Sequence, residues 1–181
     1  MPDLKSLCGE KLHTRKIAIN TYEAPDKSIV VEGILKDDRL RETHTMTGQI
    51  RPPDRVHHMI VRLRVEGPPL TITAVEVEMP VAPMAECQKT LQMLAPVTGM
   101  QLTAGFTAAV KTKIGGPKGC AHLTALILAM APAAVQGFWS MTATRPIDPV
   151  ASQGLMLQFL ADTCYVWRSD GEQITALKND R

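Results

Sequence analysis

The chain has 181 residues, of which 45% are hydrophobic and 21% charged, with a formal net charge of +2. That length supports one domain with a sizeable core. The near-balanced charge and an aromatic content of 4% argue against a nucleic-acid partner and a base-stacking platform. The first residues contain no apolar stretch of the secretory type, and no uninterrupted apolar run is expected to reach the roughly 18–20 residues of a default membrane span. The best candidate, residues 121–141, holds His122, Pro132 and Gln136, and reads as a buried helix. Four widely spaced cysteines (Cys8, Cys87, Cys120, Cys164) then imply reduced thiols in a cytoplasmic protein.

In chain order, residues 1–12 form a flexible leader. Residues 15–22 alternate, with Ile17 and Ile19 on one face, which is the two-residue period of a strand. Pro25 and Asp26 mark a turn, and residues 28–36 form the second strand, with Gly33 as a candidate bulge. Residues 37–54 are polar and without a clean period, so they read as a long loop. Strands three and four cover residues 56–65 and 70–79, enriched in β-branched side chains.

The texture then changes to helical spacing. Short helices are expected over residues 84–94 and 103–113, a long one from about Cys120 to Trp139, and a last one over 151–164. A prolyl loop spans 142–149, and residues 176–181 are a frayed tail. Strands followed by helices make an α+β fold: one antiparallel sheet of about four strands from the N-terminal half, with helices from the C-terminal half packed on one face, in a single domain over residues 13–175.

Between the second short helix and the long helix lies Ile114-Gly-Gly-Pro-Lys-Gly-Cys-Ala-His-Leu123. Such density of glycine and proline excludes regular structure and allows close backbone approach. Lys118 precedes Gly119 rather than following it, so the loop is no Walker A. Gly115, Gly116 and Gly119 are instead candidates for holding a small anion or for tight packing. Cys120 and His122 follow in the first helical turn. On a regular helix they would point about 200° apart, so they converge only if Cys120 still belongs to the loop. Together they suggest a metal site or an activated thiolate, against the plainer alternative of a small buried cysteine and a hydrogen-bonded histidine. Cys87 and Cys164 are candidates for further sulfur ligands, although no Cys-x-x-Cys spacing is present. His13, His57 and His58 open strands one and three, and with Arg15 and Arg55 compose a cationic patch for an anionic ligand. There is no Ser-His-Asp order, His-Glu-x-x-His or dinucleotide fingerprint.

His13-Thr-Arg15, His57, Gly105-Phe106, Gly115-Gly116 through Gly119-Cys120-Ala-His122-Leu123, Asp162-Thr-Cys164, Trp167-Arg168 and Asp170-Gly171 resemble the bacterial domain-of-unknown-function family 2889. The resemblance implies threonine where this chain has Ala121 and histidine where it has Tyr165. It brings no established activity. The order of strands and helices, with Gly-Cys-x-His opening a late helix, also resembles the scaffold proteins that assemble iron–sulphur clusters, although the end of strand four carries no cysteine before Cys87.

The expectation is therefore a cytoplasmic domain that binds a transition metal (zinc or iron) or a small anionic ligand. Its metal ligands come from Cys120, His122, Cys87 and Cys164, and Gly115, Gly116, Gly119, His57 and Arg15 contact the ligand. No nucleic acid and no membrane enters, and homo-oligomerisation is left open. The rival readings are a thiol- or histidine-dependent enzyme for a small acyl or aromatic metabolite, and an accessory protein with structural cysteines only.

Overall fold

Alternation of side chains about a strand decides the first half of the molecule. In the computed structural model, which describes residues 3–144, 146 and 149–179, β1 (His13–Glu23), β2 (Ile29–Arg39), β5 (Asp54–Glu66) and β6 (Thr71–Val81) form one antiparallel sheet in the order β1-β2-β5-β6. Ile29, Val31 and Leu35 of β2 and Met59, Val61, Leu63 and Val65 of β5 are buried on one face. The other face carries Glu32, Arg62 and Arg64. Asp26 closes the first hairpin as expected, accepting hydrogen bonds from the Ser28 amide at 3.1 Å and hydroxyl at 2.6 Å. β1 is an edge strand, and Ile17 stays exposed there although it lies across from buried Leu35 on the same face.

The stretch expected as one long loop is more ordered. β2 continues through Asp37 to Arg39, and a small hairpin of β3 (Thr43–His44) and β4 (Ile50–Arg51) follows. A bulge at Val56 breaks the β2–β5 ladder: Asp37 faces His57, while Asp38 faces Arg55. Bulges re-aim side chains, and this one sends Arg55 to the opposite face from His57.

The segment Ala85–Val97 is a 3-10 helix rather than an α-helix. Its buried Leu94 and Val97 stand three apart, the eclipsed spacing of that geometry. Helix α1 (Phe106–Ile114) and the long α2 (Ala121–Thr142) follow. Contacts divide the chain into two compact units, Met1–Ala134 and Val135–Arg181. In the first, Leu126 and Met130 of α2 cover Gly33, where an added Cβ would lie 2.6 Å from the Met130 sulfur and 3.0 Å from Leu126. Gly33 is thus a notch for the helix and not a bulge. From His122 to Met130 a helix rises about 12 Å, and from Gly33 to Asp37 a strand runs about 13 Å. With Met130 seated at Gly33, α2 runs antiparallel to β2 and delivers His122 to Asp37.

Helix α2 also revises one expectation. It has 22 residues, and an 18-residue stretch within it has a mean hydropathy of 1.5, which meets the length and composition of a membrane span, although 44% of that stretch is buried within the protein. In the second unit, α3 (Pro149–Leu160) is shorter than expected and α4 (Glu172–Asn179) occupies a stretch with no predicted element. Asp162 ends the run at φ 59°, with its carboxylate accepting from the Ser169 amide at 2.8 Å and hydroxyl at 2.6 Å, which leaves Cys164 in a turn. The expected loop over 142–149 includes positions 145, 147 and 148, which lie outside the described residues, as do the first two residues of the leader and the last two of the tail.

Candidate functional site

Asp37 occupies the inward position that follows Leu35 on β2, and its side chain is 3% exposed. A buried carboxylate needs partners. Arg15, directly across on β1, supplies a fork: its Nε donates to Oδ1 at 2.7 Å and its Nη2 to Oδ2 at 2.6 Å. His57, directly across on β5, has Nδ1 3.0 Å from Oδ2. His13 Nε2 stands 3.4 Å from Oδ1, and His122 Nε2, from α2, stands 3.8 Å from Oδ2. The His57 and His122 rings lie against one another with centroids 4.0 Å apart.

The glycine loop explains how His122 arrives. Gly115 ends α1, with its N–H donating to the Lys111 carbonyl at 3.0 Å. A Cβ on Gly115 would lie 2.3 Å from the Lys111 oxygen, and one on Gly119 would lie 2.3 Å from the Ile114 oxygen. Gly116 takes φ 58°, a left-handed conformation that side chains resist. Lys118 Nζ donates to the Thr112 carbonyl at 2.8 Å, and buried Thr124 donates its hydroxyl to the Ile114 carbonyl at 3.1 Å. These glycines fold the chain back over the end of α1, so their contacts account for the motif by packing. The chain then enters α2 with Cys120 still outside the helix, its carbonyl accepting the Thr124 amide at 2.9 Å. The condition for convergence is met: Cys120 Sγ lies 3.8 Å from His122 Nδ1.

Electrostatics follow from these contacts. Hydrogen bonds from Arg15 hold the Asp37 carboxyl below the ordinary carboxylate range, against the burial that pushes it up, with the Arg15 charge and His57 adding to the lowering. Burial lowers the His122 imidazole below its ordinary value, helped by the neighbouring His57 and Arg15 and opposed by Asp37. A histidine kept neutral with one nitrogen turned to a carboxylate is suited to ligation or to proton transfer. Among the described residues, Asp37, His57 and His122 offer three potential metal-ligand atoms that all lie within 4.8 Å of one another.

Other expected residues lie elsewhere. Cys87 sits half-buried in the 3-10 helix after β6, and Cys164 is exposed in the turn after α3. Neither belongs to the described ligand cluster. The expected cationic patch divides at the Val56 bulge: Arg15, His13 and His57 gather on Asp37, whereas Arg55 Nε binds Asp38 at 2.8 Å. Asp37 itself is absent from the sequence-based set, because Asp37-Asp38-Arg39 reads as the end of an apolar run. The available signal was parity, since residues 29, 31, 33, 35 and 37 share one face.

No curated protein and no solved structure matches the chain. The likeness to cluster scaffolds therefore rests on element order alone. The model of the family described as protein of unknown function (DUF2889) matches residues 13–136, a span that holds the sheet, the glycine loop, Asp37, His57, Cys120 and His122. By that match the chain belongs to the DUF2889 family.

Proposed function

We propose that this domain binds one divalent transition-metal ion, of the zinc or ferrous class, through Asp37, His57 and His122. The observation that carries the reading is the convergence of one buried carboxylate and two imidazoles, with ligand atoms within 4.8 Å of one another. Tetrahedral ligands on bonds near 2.1 Å stand about 3.4 Å apart. The 3.0 Å and 3.8 Å separations of His57 and His122 from Asp37 bracket that value. Two histidines and a carboxylate with an open position are the donor set of catalytic zinc and non-haem iron sites. Cys120, beside the His122 nitrogen that faces away from Asp37, takes the supporting role: as acceptor of the Nδ1 proton it leaves Nε2 free for the ion. The ion would take the place of the proton between His57 and Asp37. Arg15 adds positive charge beside it, which favours an anionic or readily deprotonated fourth ligand. A reducing cytoplasm suits the free thiol of Cys120.

The test is elemental analysis of the purified chain, with zinc and ferrous titration of chelator-treated protein. Near-stoichiometric binding is expected, abolished by His122→Ala and weakened about tenfold or more by Cys120→Ser. Failure to bind either ion, with no rise in melting temperature when metal is added, would sink the proposal.

The Cys120 Sγ–His122 Nδ1 contact of 3.8 Å also favours a second reading, in which His122 takes the thiol proton and Asp37 orients the imidazolium. Its mark is a metal-independent alkylation of Cys120 at neutral pH, faster than that of a free thiol and slowed to that rate in His122→Asn.

A further inference from the structure

Beyond the bulge, at the end of the sheet, a cavity of about 330 Å³ opens between the ends of β2, β5 and β6 and the strand β4. Three arginines contribute to its lining: Arg39, Arg51 and Arg55. Arg39 is held in place by the Pro52 carbonyl, which accepts its Nε at 3.2 Å and its Nη2 at 2.7 Å. That bond fixes the side chain and leaves its charge uncompensated. Arg55 is paired with Asp38. Asp54, also in the lining, receives the Arg55 amide at 2.7 Å. Arg51 has no carboxylate partner among the described residues. The lining thus holds three arginines and one acidic residue, Asp54, and two of the arginines have no ion pair among the described residues.

We infer that this cavity binds the phosphate group of a small phosphorylated metabolite. Guanidinium forks match the oxygens of a phosphate, and two without a carboxylate partner suit its double negative charge better than the single charge of a lone carboxylate. The lining contains no aromatic side chain, so nothing in it stacks a nucleobase. The remaining walls, Val56, Val81, Ala82 and the prolines, suit a short organic body. The inference is independent of the metal reading, since no metal ligand lines the cavity.

Calorimetric titration of the full chain, dialysed against chelator, with inorganic phosphate, glycerol phosphate and succinate tests it. Saturable one-to-one binding of both phosphates is expected, weakening as salt is raised. Succinate should bind at least about tenfold more weakly, and Arg51→Gln should lose about tenfold in phosphate affinity. Arg51 lies in the small hairpin outside the main sheet, and Arg39→Gln gives a second variant should the first unfold. No saturable phosphate binding, equal affinity in both folded variants, or tighter binding of succinate would overturn the inference. Phosphate binding that appears only when metal is restored would do the same.

Discussion

The two faces of β2 and β5 carry charge in different ways. On the inner face a single carboxylate, Asp37, is enclosed by Arg15, His13, His57 and His122. On the outer face Glu32, Arg62 and Glu78 form a ladder, and Asp26, Arg64 and Glu66 another, all open to solvent to varying degrees. The residue types are the same and the strands are the same. Water shares the charge of the outer ladders, so each pair is worth little. Asp37 has lost its water, so its neighbours must do the whole of its solvation. Burial, and not the number of ion pairs, separates the Asp37 cluster from a solvated surface.

Removing Asp37 should break this contrast most strongly. Breaking a buried pair costs about 3–5 kcal/mol. Arg15 is 40% exposed and can rehydrate, so Asp37→Ala is expected to lower stability by about 2–4 kcal/mol, read as a shift in urea midpoint at unchanged slope. A loss below about 0.5 kcal/mol would place Asp37 with the surface ladders.

Acid titration sharpens the comparison at intermediate scale. The Asp37 carboxyl is held below its unfolded value, so its stabilisation is complete above about pH 3.9 and lost as pH falls through the folded value. The His122 imidazole is also lowered. Its contribution is complete above about pH 6.5, and stability falls below that point because the unfolded chain takes the proton first. Urea midpoints measured from pH 8 to pH 3 should therefore decline in two stages. His122→Asn should flatten the first stage, and Asp37→Asn the second.

The smallest effect belongs to the outer ladder. Arg62→Gln, which removes pairs to Glu32 and Glu78, should lower the melting temperature only slightly, and less still in 1 M salt. Thermal melts at two salt concentrations check this.

The four main strands were legible because alternation announces a half-buried strand. The two-residue strands β3 and β4 were not, since no period fits in two positions. The glycine loop, Cys120, His122, His57 and Arg15 could be singled out from residue type and spacing. Asp37 could not, because three charged residues in a row resemble a loop, and only the partner strand and α2 reveal that the first of them points inward. The Val56 bulge was hidden for a related reason: a bulge is a property of two strands, and one strand's sequence does not record it.

Gly33 carries no functional group, yet it governs those that do. Its missing side chain lets Met130 and Leu126 sink onto β2, one and two helical turns beyond His122. The depth of that seat sets how far the imidazole reaches toward Asp37. A branched side chain at position 33 would lift the helix and draw His122 away from Asp37 with no change in the identity of either residue. Position 33 therefore behaves as a focusing element, and two chains with the same Asp37, His57 and His122 but different residues there would set those side chains at different distances.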